Sequence, residues 1–410
     1  MMAAIGAGNW TGRTVELRVG AVAHGGFCVA RVDGRVVFVR HALPGELVLA
    51  HITEDRGGSF CRADAVEVLE SSRHRVAAPC PVSGPGGCGG CDFQHVDPAA
   101  QRELKADVVA EQLRRLAGVQ WPVEVEALPG DATSWRTRTR FAVDGDGAPG
   151  FRAHRSHQVI PVVDCPITVR AAVAAVTARR FTPYGEVEVV ADDAGDVHMQ
   201  EVPPARSGRR GTPRQVAGDG IASQRAIGRR WRLAATGFWQ VHAAAAETLA
   251  AVVAEFAEAP DGGAAWDLYG GAGLFGAVLA GQVGERGSVL VVEASRDAVN
   301  DGRRNLADLP QARFLSAKVA AALARGIRPA RPDVVVLDPP RKGAGREVVG
   351  GIVAAGPQRV VYVACDPAAL ARDVAGFAGL GYQLTRLRAF DAFPMTHHVE
   401  CVALFTAVAP

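Results

Sequence analysis

Short apolar runs alternate with amphipathic stretches along the last third of the chain. The apolar runs have the length of buried strands, and the stretches between them show the helical spacing of apolar positions. The candidate strands are residues 263–269, 288–292, 333–337 and 360–364. This alternation predicts a doubly wound parallel sheet, with helices on both faces, in a domain that spans residues 236–410. In sheets of this class, functional residues lie at the carboxyl ends of the strands.

The N-terminal part of the chain shows a different pattern, with short candidate strands separated by turn-forming residues. The candidate strands are residues 14–19, 35–40, 46–52 and 61–69. Asp33-Gly34 is a hairpin turn signal between two of them. The pattern predicts a small closed β-barrel of the oligonucleotide-binding type over residues 11–70. Such a barrel either binds nucleic acid or supports the next domain, and this segment leaves both roles open.

Residues 71–235 are expected to form a central domain of mixed helix and strand. Within it, apolar residues recur at helical spacing over residues 98–117, and Asp97-Pro98 supplies a capping side chain followed by a favoured first helical residue. Lys105 is expected on the solvated face of this helix. The apolar face is expected to pack on the C-terminal domain.

Three arginines in the central domain, Arg136, Arg138 and Arg140, alternate with other residues. Side chains at every second position of a strand share one face, so the arginines are predicted to form a positive stripe. Such a stripe can bind phosphate groups of a nucleic acid. A solvated strand face is the alternative interpretation.

Composition and charge are those of a globular protein. The chain has 410 residues, is 48% hydrophobic and carries a formal net charge of +2. The N-terminus lacks the pattern of a secretion signal, and polar residues such as Gln240, Glu247 and Asp267 interrupt the longest apolar runs. We therefore expect a cytoplasmic, monomeric protein with no membrane segment. Cysteines in that compartment are expected to be ligands, nucleophiles or core residues rather than disulfides.

A cluster of cysteines predicts a metal site. Cys80, Cys88 and Cys91 fall within a dozen residues rich in glycine and proline, and Cys165 follows later in the chain. Glycine and proline let the backbone wrap around a ligand, and the close spacing of the thiols is hard to explain by packing. Four thiolates suit either a tetrahedral zinc ion or an iron–sulfur cluster, and the spacing does not decide between them.

A glycine-rich turn follows the strand at residues 263–269 and predicts a cofactor site. Gly271 and Gly273 are needed there so that a cofactor can approach the backbone closely. Glu293 ends the next strand, about 20 residues further on, where a carboxylate can bind ribose hydroxyls. The turn fits both a dinucleotide and S-adenosylmethionine, so an adenosine-bearing cofactor is predicted.

Cys365 lies at the carboxyl end of the strand at residues 360–364, directly before Asp366-Pro367 and a predicted helix. A thiol near the first turn of a helix is expected to have a lowered pKa and to be nucleophilic. Asp366 is expected to cap that helix. The alternative is a buried and inert cysteine, which is a common fate of free thiols.

Three motifs together resemble those of a known family. They are Asp338-Pro339-Pro340-Arg341 after a strand, Cys365, and the segment from Asp391-Ala392-Phe393-Pro394 to Glu400. In these the chain closely resembles the RNA 5-methyluridine methyltransferases of the RumA/TrmA group, over nearly its whole length. The resemblance implies a TRAM domain for the barrel, a cluster-bearing central α+β domain, and a Rossmann-type domain that binds S-adenosylmethionine.

The resemblance also implies roles for individual residues. Cys365 matches the nucleophile, and Glu400 matches the base that removes a proton from carbon 5 of uracil; His397 and His398 are rival bases that we expect to be structural or to contact substrate. Four cysteines match the ligands of a 4Fe-4S cluster, with zinc as the alternative: Cys80, Cys88, Cys91 and Cys165. Cofactor and substrate contacts are implied for Gln240, Tyr269, Glu293 and Asp338, beside Gly271 and Gly273 of the glycine turn.

The implied reaction is methylation of carbon 5 of a uridine in RNA, dependent on S-adenosylmethionine, through a covalent adduct between cysteine and carbon 6. The barrel favours 23S ribosomal RNA as the substrate, and a uridine in the T-loop of transfer RNA is the alternative. Two other classes are a NAD-linked oxidoreductase with an iron–sulfur cluster and a zinc-bearing RNA-binding protein without activity. The oxidoreductase hypothesis leaves Cys365 and Glu400 unexplained.

Overall fold

Four β-sheets organise the part of the chain that the computed structural model describes, which comprises residues 8–205, 211–327 and 331–408. One sheet forms the N-terminal barrel, two belong to the central region, and the fourth forms the C-terminal α/β domain. Among the helices in these residues, none is both long and apolar enough to cross a membrane.

Six strands form the barrel. They are β1 Thr14–Arg18, β2 Val22–Ala23, β3 Phe27–Val32, β4 Arg35–Arg40, β5 Leu47–Asp55 and β6 Phe60–Glu70. Their hydrogen-bonded order is β1-β5-β6-β4-β3-β2, with a parallel pair between β4 and β6. Alternate side chains such as Val37, Val48 and Ile52 are fully buried inside. Asp33-Gly34 forms the predicted β3–β4 turn, and both residues have the positive φ that this turn requires.

The predicted helix of the central region is α1, Pro98–Gln112, which continues into a π-helical turn at Leu113–Ala117. The Asp97 side chain caps α1 by accepting hydrogen bonds from the N–H groups of Ala99 and Ala100, both at 3.0 Å. Apolar residues of α1 join two cores. Leu104 and Val108 pack with the barrel, and Val109 and Leu113 pack with the C-terminal domain. The helix therefore fastens the barrel to that domain.

The prediction that Lys105 is solvated is wrong. Its side chain is only 1% exposed, and its Nζ atom lies 2.5 Å from Asp391 Oδ1 and 3.1 Å from the carbonyl oxygen of Phe393. Helical periodicity predicted Lys105 on the solvated face, because that pattern distinguishes only one packed face of a helix from the rest. In the structure, α1 is covered on a further side by the chain that follows Asp391.

Besides α1, the described residues of the central region form two sheets, one short helix and a strand, β7, that joins the sheet of the C-terminal domain. Its elements are β7 Val125–Ala127, β8 Arg138–Val143, β9 Pro149–Arg152, β10 Val159–Pro161, α2 Arg170–Thr177, β11 Glu186–Ala191, β12 Val197–Val202, β13 Arg214–Ala217, β14 Ile221–Ala226 and β15 Arg229–Ala234. The larger sheet has the order β10-β9-β8-β11-β12-β13, and β14 pairs with β15. Phe141 and Val187 lie at the centre of its core.

The predicted arginine stripe does not form a single phosphate-binding face. Arg138 is directed inward, and its guanidinium group donates to the carbonyl oxygens of Ala235 at 2.9 Å and Gly237 at 2.6 Å. Arg140 is exposed but is paired with Glu188. The prediction is therefore wrong for Arg138, because its Nη1 atom is held by backbone carbonyls of a neighbouring segment and its other two nitrogen atoms are buried.

The C-terminal domain is the predicted Rossmann-type fold. Its elements are α3 Ala245–Ala257, β16 Ala264–Leu268, α4 Leu274–Val283, β17 Ser288–Glu293, α5 Arg296–Asn305, β18 Ala312–Ser316, α6 Val319–Arg325, β19 Val334–Leu337, α7 Gly345–Ala355, β20 Arg359–Ala364, α8 Pro367–Ala378, β21 Tyr382–Asp391 and β22 Glu400–Ala407. The sheet order is β18-β17-β16-β19-β20-β22-β21-β7. The first five strands are parallel, whereas β22 is antiparallel to both neighbours.

This topology gathers the predicted site residues at one edge. Tyr269, Glu293, Asp338 and Cys365 end or follow parallel strands, so they lie at the shared carboxyl edge of the sheet. β22 runs in the opposite direction, and Glu400, its first residue, therefore lies at the same edge. The pairing of Ala364 with Cys401 brings Glu400 beside the end of β20.

Candidate active site

A cavity of about 750 Å³ lies at this edge. The predicted site residues that line it are Gln240, Tyr269, Gly271, Glu293, Asp338, Cys365 and Glu400. The other predicted glycine, Gly273, is not one of the lining residues and lies directly before α4. Gly25 from the barrel, and Arg136 and His154 from the central region, also line the cavity. The site is therefore built from all three parts of the chain.

Cys365 lies between the end of β20 and the first turn of α8. Asp366 caps that helix as predicted, because its Oδ1 atom accepts from the N–H group of Ala369 at 2.7 Å. The other Asp366 oxygen lies 3.0 Å from Nε2 of His24, which belongs to the barrel. The barrel thus contacts the cap of the helix that positions Cys365.

The predicted lowering of the Cys365 pKa is wrong. Burial, together with the nearby carboxyl groups of Glu400 and Asp338, raises the pKa of the Cys365 thiol to about 12. Arg341 lowers this pKa, but its effect is smaller. The sequence showed the helix terminus and not the carboxyl groups that the fold brings to the thiol. Cys365 is therefore a protonated thiol in the resting site.

Two buried carboxyl groups face the same cavity. Burial raises the pKa of Asp338 to about 7, and burial with the nearby Asp338 charge raises the pKa of Glu400 well above its usual value. The charge of either group disfavours ionisation of the other, so the two carboxyl groups titrate as a pair. A carboxylate with a raised pKa is a stronger base than a solvated one, and Glu400 has that property here.

The glycine turn and Glu293 form another part of the wall of this cavity. Glu293 Oε2 accepts from the N–H group of Gly271 at 3.1 Å, and its Oε1 accepts from that of Ser295 at 2.6 Å. Gly273 has a φ of 91°, and a Cβ atom there would lie 2.8 Å from the ring of Phe314. The carboxylate thus holds the turn in shape; Gly273 is needed for packing against Phe314, whereas the space next to Gly271 is open.

The segment before Glu400 contributes two histidines to the cavity. His397 is held by Asp92, whose Oδ2 lies 2.6 Å from Nδ1 of the ring and 3.1 Å from the His397 backbone nitrogen. Burial, His397 and Arg341 lower the pKa of His398 to about 3. His398 is therefore a weak base, which favours Glu400 for proton removal.

Several lining residues were not predicted as site residues. Asp92, Trp135 and His154 come from the central region, far in sequence from the Rossmann-type motifs. The one sequence signal is the position of Asp92 directly after Cys91. Arg136 was predicted to contact RNA, and it lines both this cavity and a second one.

The second cavity, of about 250 Å³, is lined by all four predicted ligands: Cys80, Cys88, Cys91 and Cys165. Three of the sulfur atoms accept hydrogen bonds, from Gly90 N–H, Gln94 Nε2 and Thr168 Oγ1, at 3.2 to 3.4 Å. Among the residues that the structure describes, no three or more His, Cys, Asp or Glu side chains lie in an arrangement that could hold a metal ion. The predicted cluster is therefore considered below as a proposal.

Comparison with known proteins identifies the domains at both ends of the chain. Residues 10–66 match the model of the TRAM domain, and residues 326–408 match that of the tRNA (Uracil-5-)-methyltransferase family. An uncharacterized RNA methyltransferase of Streptomyces avermitilis is 45% identical over 97% of this chain and 99% of its own. One of Corynebacterium diphtheriae is 38% identical over 96% of this chain and 97% of its own.

A solved structure shares the whole fold. The crystal structure of the Pyrococcus abyssi tRNA (uracil-54, C5)-methyltransferase, in complex with S-adenosyl-L-homocysteine, superposes with a TM-score of 0.71 at 21% identity. The match covers 95% of this chain and 100% of that one. The methyltransferase matches favour S-adenosylmethionine over a dinucleotide for the glycine turn. The chain belongs to the family of S-adenosylmethionine-dependent RNA (uracil-5-)-methyltransferases.

Proposed function

We propose that the protein methylates carbon 5 of a uridine in RNA through a covalent adduct, with Cys365 as the nucleophile and Glu400 as the base. The observation that carries the proposal is the position of Glu400 at the start of an antiparallel strand. This places a buried carboxyl group next to the thiol, in the cavity where the glycine turn opens. Nucleophile, base and cofactor wall thus face one space.

The chemistry requires these residue types. Carbon 5 of uracil is a poor nucleophile. The Cys365 thiol first loses its proton to water, and addition of the resulting thiolate to carbon 6 moves an electron pair through carbon 5 to the carbonyl oxygen at position 4. Carbon 5 then becomes nucleophilic, and S-adenosylmethionine supplies the methyl group that it takes. Glu400 next removes the remaining proton from carbon 5. The released electron pair re-forms the double bond between carbons 5 and 6, and the sulfur of Cys365 leaves.

Binding of the cofactor rests on the wall opposite the thiol. Glu293 accepts hydrogen bonds from the ribose hydroxyls, and the turn at Gly271 and Gly273 lets the cofactor approach the backbone. Tyr269, Gln240 and Asp338 complete the contacts to cofactor and substrate. The uridine must leave its base stack to reach Cys365, so an unpaired or flipped nucleotide is the substrate.

For the second cavity we propose a 4Fe-4S cluster, with zinc as the alternative. Four thiols from two separate segments face one space, and the donors to three of the sulfur atoms suit thiolate ligands. Methyl transfer moves no net electrons, so the cluster's role is structural. An absorption spectrum of anaerobically purified protein separates a brown cluster from colourless zinc.

For the RNA, we propose a uridine in 23S ribosomal RNA, and the TRAM domain is the reason. A transfer-RNA uridine is the second candidate, because the matched family model and the Pyrococcus abyssi enzyme are both named for transfer RNA. Mapping 5-methyluridine in both RNA classes from a deletion strain decides between them. The site that loses its methyl group identifies the substrate.

Two variants test the covalent mechanism. Cys365→Ala removes the group that bonds to carbon 6, so it should give neither methylated RNA nor a protein–RNA adduct. Glu400→Gln leaves the thiol in place but cannot take the carbon 5 proton. The adduct should therefore accumulate with its methyl group attached and survive denaturing electrophoresis. The double variant should behave like Cys365→Ala, because the steps are sequential.

Cys61→Ala is the matched control for loss of a thiol, since Cys61 is buried inside the barrel and away from the cavity. It should methylate RNA at the wild-type rate. Methylation by Cys365→Ala would exclude the covalent mechanism. Near wild-type turnover by Glu400→Gln would transfer the role of base to another group, of which His397 and His398 are the candidates that line the cavity.

A further inference from the structure

A row of aromatic rings crosses the outer surface of the barrel. Phe27 on β3, Phe38 on β4 and Phe60 on β6 come from strands that are neighbours in the sheet. Ring centroids are 6.1 Å apart between Phe27 and Phe38, and 5.5 Å apart between Phe38 and Phe60. The ring of His154, from the central region, lies 6.3 Å from that of Phe27. We call these four residues the aromatic row.

The row does not belong to the core of the barrel. Strand neighbours such as Cys28, Val37 and Cys61 are buried inside, so the phenylalanines project outward. Phe60 is 41% exposed, and Phe27 and Phe38 are partly exposed. Packing in the core of the barrel therefore does not explain why three neighbouring strands each carry a phenylalanine on the outer face. Such a contiguous patch indicates a surface that contacts another molecule.

One end of the row reaches the active site. His154 lines the catalytic cavity and also a larger cavity of about 910 Å³ between the barrel and the central region. Phe27 lines that larger cavity. Burial and the nearby charges of Arg40 and Arg155 lower the pKa of His154 to about 4, so its ring is neutral at physiological pH. A chain that leaves the catalytic cavity past His154 therefore meets an uncharged ring first.

Positive charge accompanies the row. The larger cavity is lined by Arg40, Arg56, Arg62 and Arg155, against two carboxyl groups, Glu54 and Asp64. Glu54 alone is the carboxylate partner of Arg56, Arg62 and Arg155, which leaves the group with excess positive charge. Arg40 is only 4% exposed, and its Nη2 atom has no hydrogen-bond partner among the described residues, although it lies 3.6 Å from Asp92 Oδ1. The Arg62 guanidinium carbon lies 5.1 Å from the centre of the Phe60 ring.

We propose that the single-stranded RNA beside the target uridine leaves the catalytic cavity past His154 and stacks its bases on the aromatic row. The arginines of the larger cavity bind its phosphates. Aromatic rings next to cationic side chains are the usual means of holding a single strand, since every base offers a face for stacking. A protein partner would match the apolar rings but would not need four arginines beside them. The inference rests on the proposed function, because it assumes that the cavity receives a nucleotide of RNA.

The test compares two RNAs and two kinds of variant. One RNA is a long single strand with the target uridine near its centre, and the other is cut back to that uridine and its nearest neighbours. Phe38→Ala and Phe60→Ala should each bind the long strand roughly tenfold more weakly, because stacking on an aromatic side chain contributes that order of affinity per base. Binding of the short strand should stay unchanged. Phe60→Tyr should restore binding of the long strand, since it restores an aromatic face.

Charge and exposure are controlled separately. Leu69→Ala is the matched control, because Leu69 is 43% exposed on β6, the same strand as Phe60. It should bind both strands like the wild type. Arg56→Gln should lower the slope of log affinity against log salt by about one, whereas the phenylalanine variants should leave that slope unchanged.

The row has no role in RNA binding if Phe38→Ala and Phe60→Ala bind the long strand like the wild type, or if Leu69→Ala loses as much. Sedimentation velocity tests whether a second copy of the chain covers the row instead. If the wild type self-associates and Phe60→Ala does not, the row is an interface between two copies. Methylation of the short strand reports on the proposed function by itself. A wild type that binds the long strand through the row but methylates neither RNA would refute only the proposed reaction.

Discussion

Replacement of Lys105 by methionine tests how strongly the buried ion pair with Asp391 holds the structure together. The two charged atoms are 2.5 Å apart, and both side chains are at most 5% exposed. At an effective dielectric constant of about 20, two unit charges at this distance attract by about 7 kcal/mol. Much of that attraction is offset by the cost of removing both groups from water. Burial indeed lowers the pKa of Lys105 despite the nearby Asp391 charge.

Lys105→Met removes the attraction and leaves Asp391 buried without its cation. Breaking a buried pair in this way costs about 3 to 5 kcal/mol of unfolding free energy. The double variant Lys105→Met with Asp391→Asn removes both charges, and it should recover most of the loss. The difference between the double variant and the sum of the single variants is the interaction energy of the pair.

Urea unfolding followed by circular dichroism measures these free energies in the full chain. Arg102→Met is the matched control on the same helix, because the Arg102 side chain donates a hydrogen bond to the carbonyl oxygen of Pro98, within α1 itself. It should change stability by less than about 1 kcal/mol. If Lys105→Met is as mild as Arg102→Met, or if the two single losses simply add in the double variant, the pair does not hold α1 to the C-terminal domain.

Three further predictions concern the site and its surroundings. Because the pKa of Cys365 is raised to about 12, its thiolate fraction grows with pH, so methyl transfer in a single turnover should become faster through the mildly alkaline range; release of the methylated RNA from its adduct should slow as the pH falls, because the raised pKa of Glu400 leaves more of this base protonated. Arg138→Ala should lower thermal stability and leave the salt dependence of RNA binding unchanged, because the guanidinium group is buried and its Nη1 atom donates to two carbonyl oxygens; Arg140→Ala, at an exposed position, should be milder in a thermal melt. Cys88→Ser should remove the absorbance of the proposed cluster and weaken RNA binding, whereas calorimetry should still detect binding of S-adenosylhomocysteine.

Local sequence patterns predicted the elements that depend on neighbouring residues in the chain. Asp33-Gly34 formed its hairpin turn, and Asp97 and Asp366 formed their helix caps, because each outcome needs only residues within a few positions. The carboxyl edge of the sheet was predictable for a related reason. Once the strands are parallel, the residues that follow them must share one edge, as Glu293 and Cys365 do.

Electrostatic properties were not predictable in the same way. The pKa of Cys365 is set by Glu400 and Asp338, which are distant in sequence and are brought to the thiol by the strand order. Lys105 is buried because Asp391 closes over α1, and nothing in the helical pattern shows that contact. The pKa or the burial of a charged group therefore differs from the sequence-based prediction where the fold brings that group next to groups from other segments.

The segment that precedes Glu400 shows why the three parts of the chain make one site. Met395 has a positive φ of 67°, a conformation that its side chain disfavours, so its neighbours must hold it in place. Its carbonyl oxygen accepts from the N–H groups of Asp92 and Phe93, both at 2.9 Å, and its own N–H donates to Gln101 Oε1 at 2.7 Å. The residues after the last of the three clustered cysteines and the helix α1 thus fix the loop that carries the histidines of the cavity. If the proposed reaction is correct, the region around the cysteines acts on it through the shape of this loop, and a substitution that frees Met395 should disturb the position of His397 and His398.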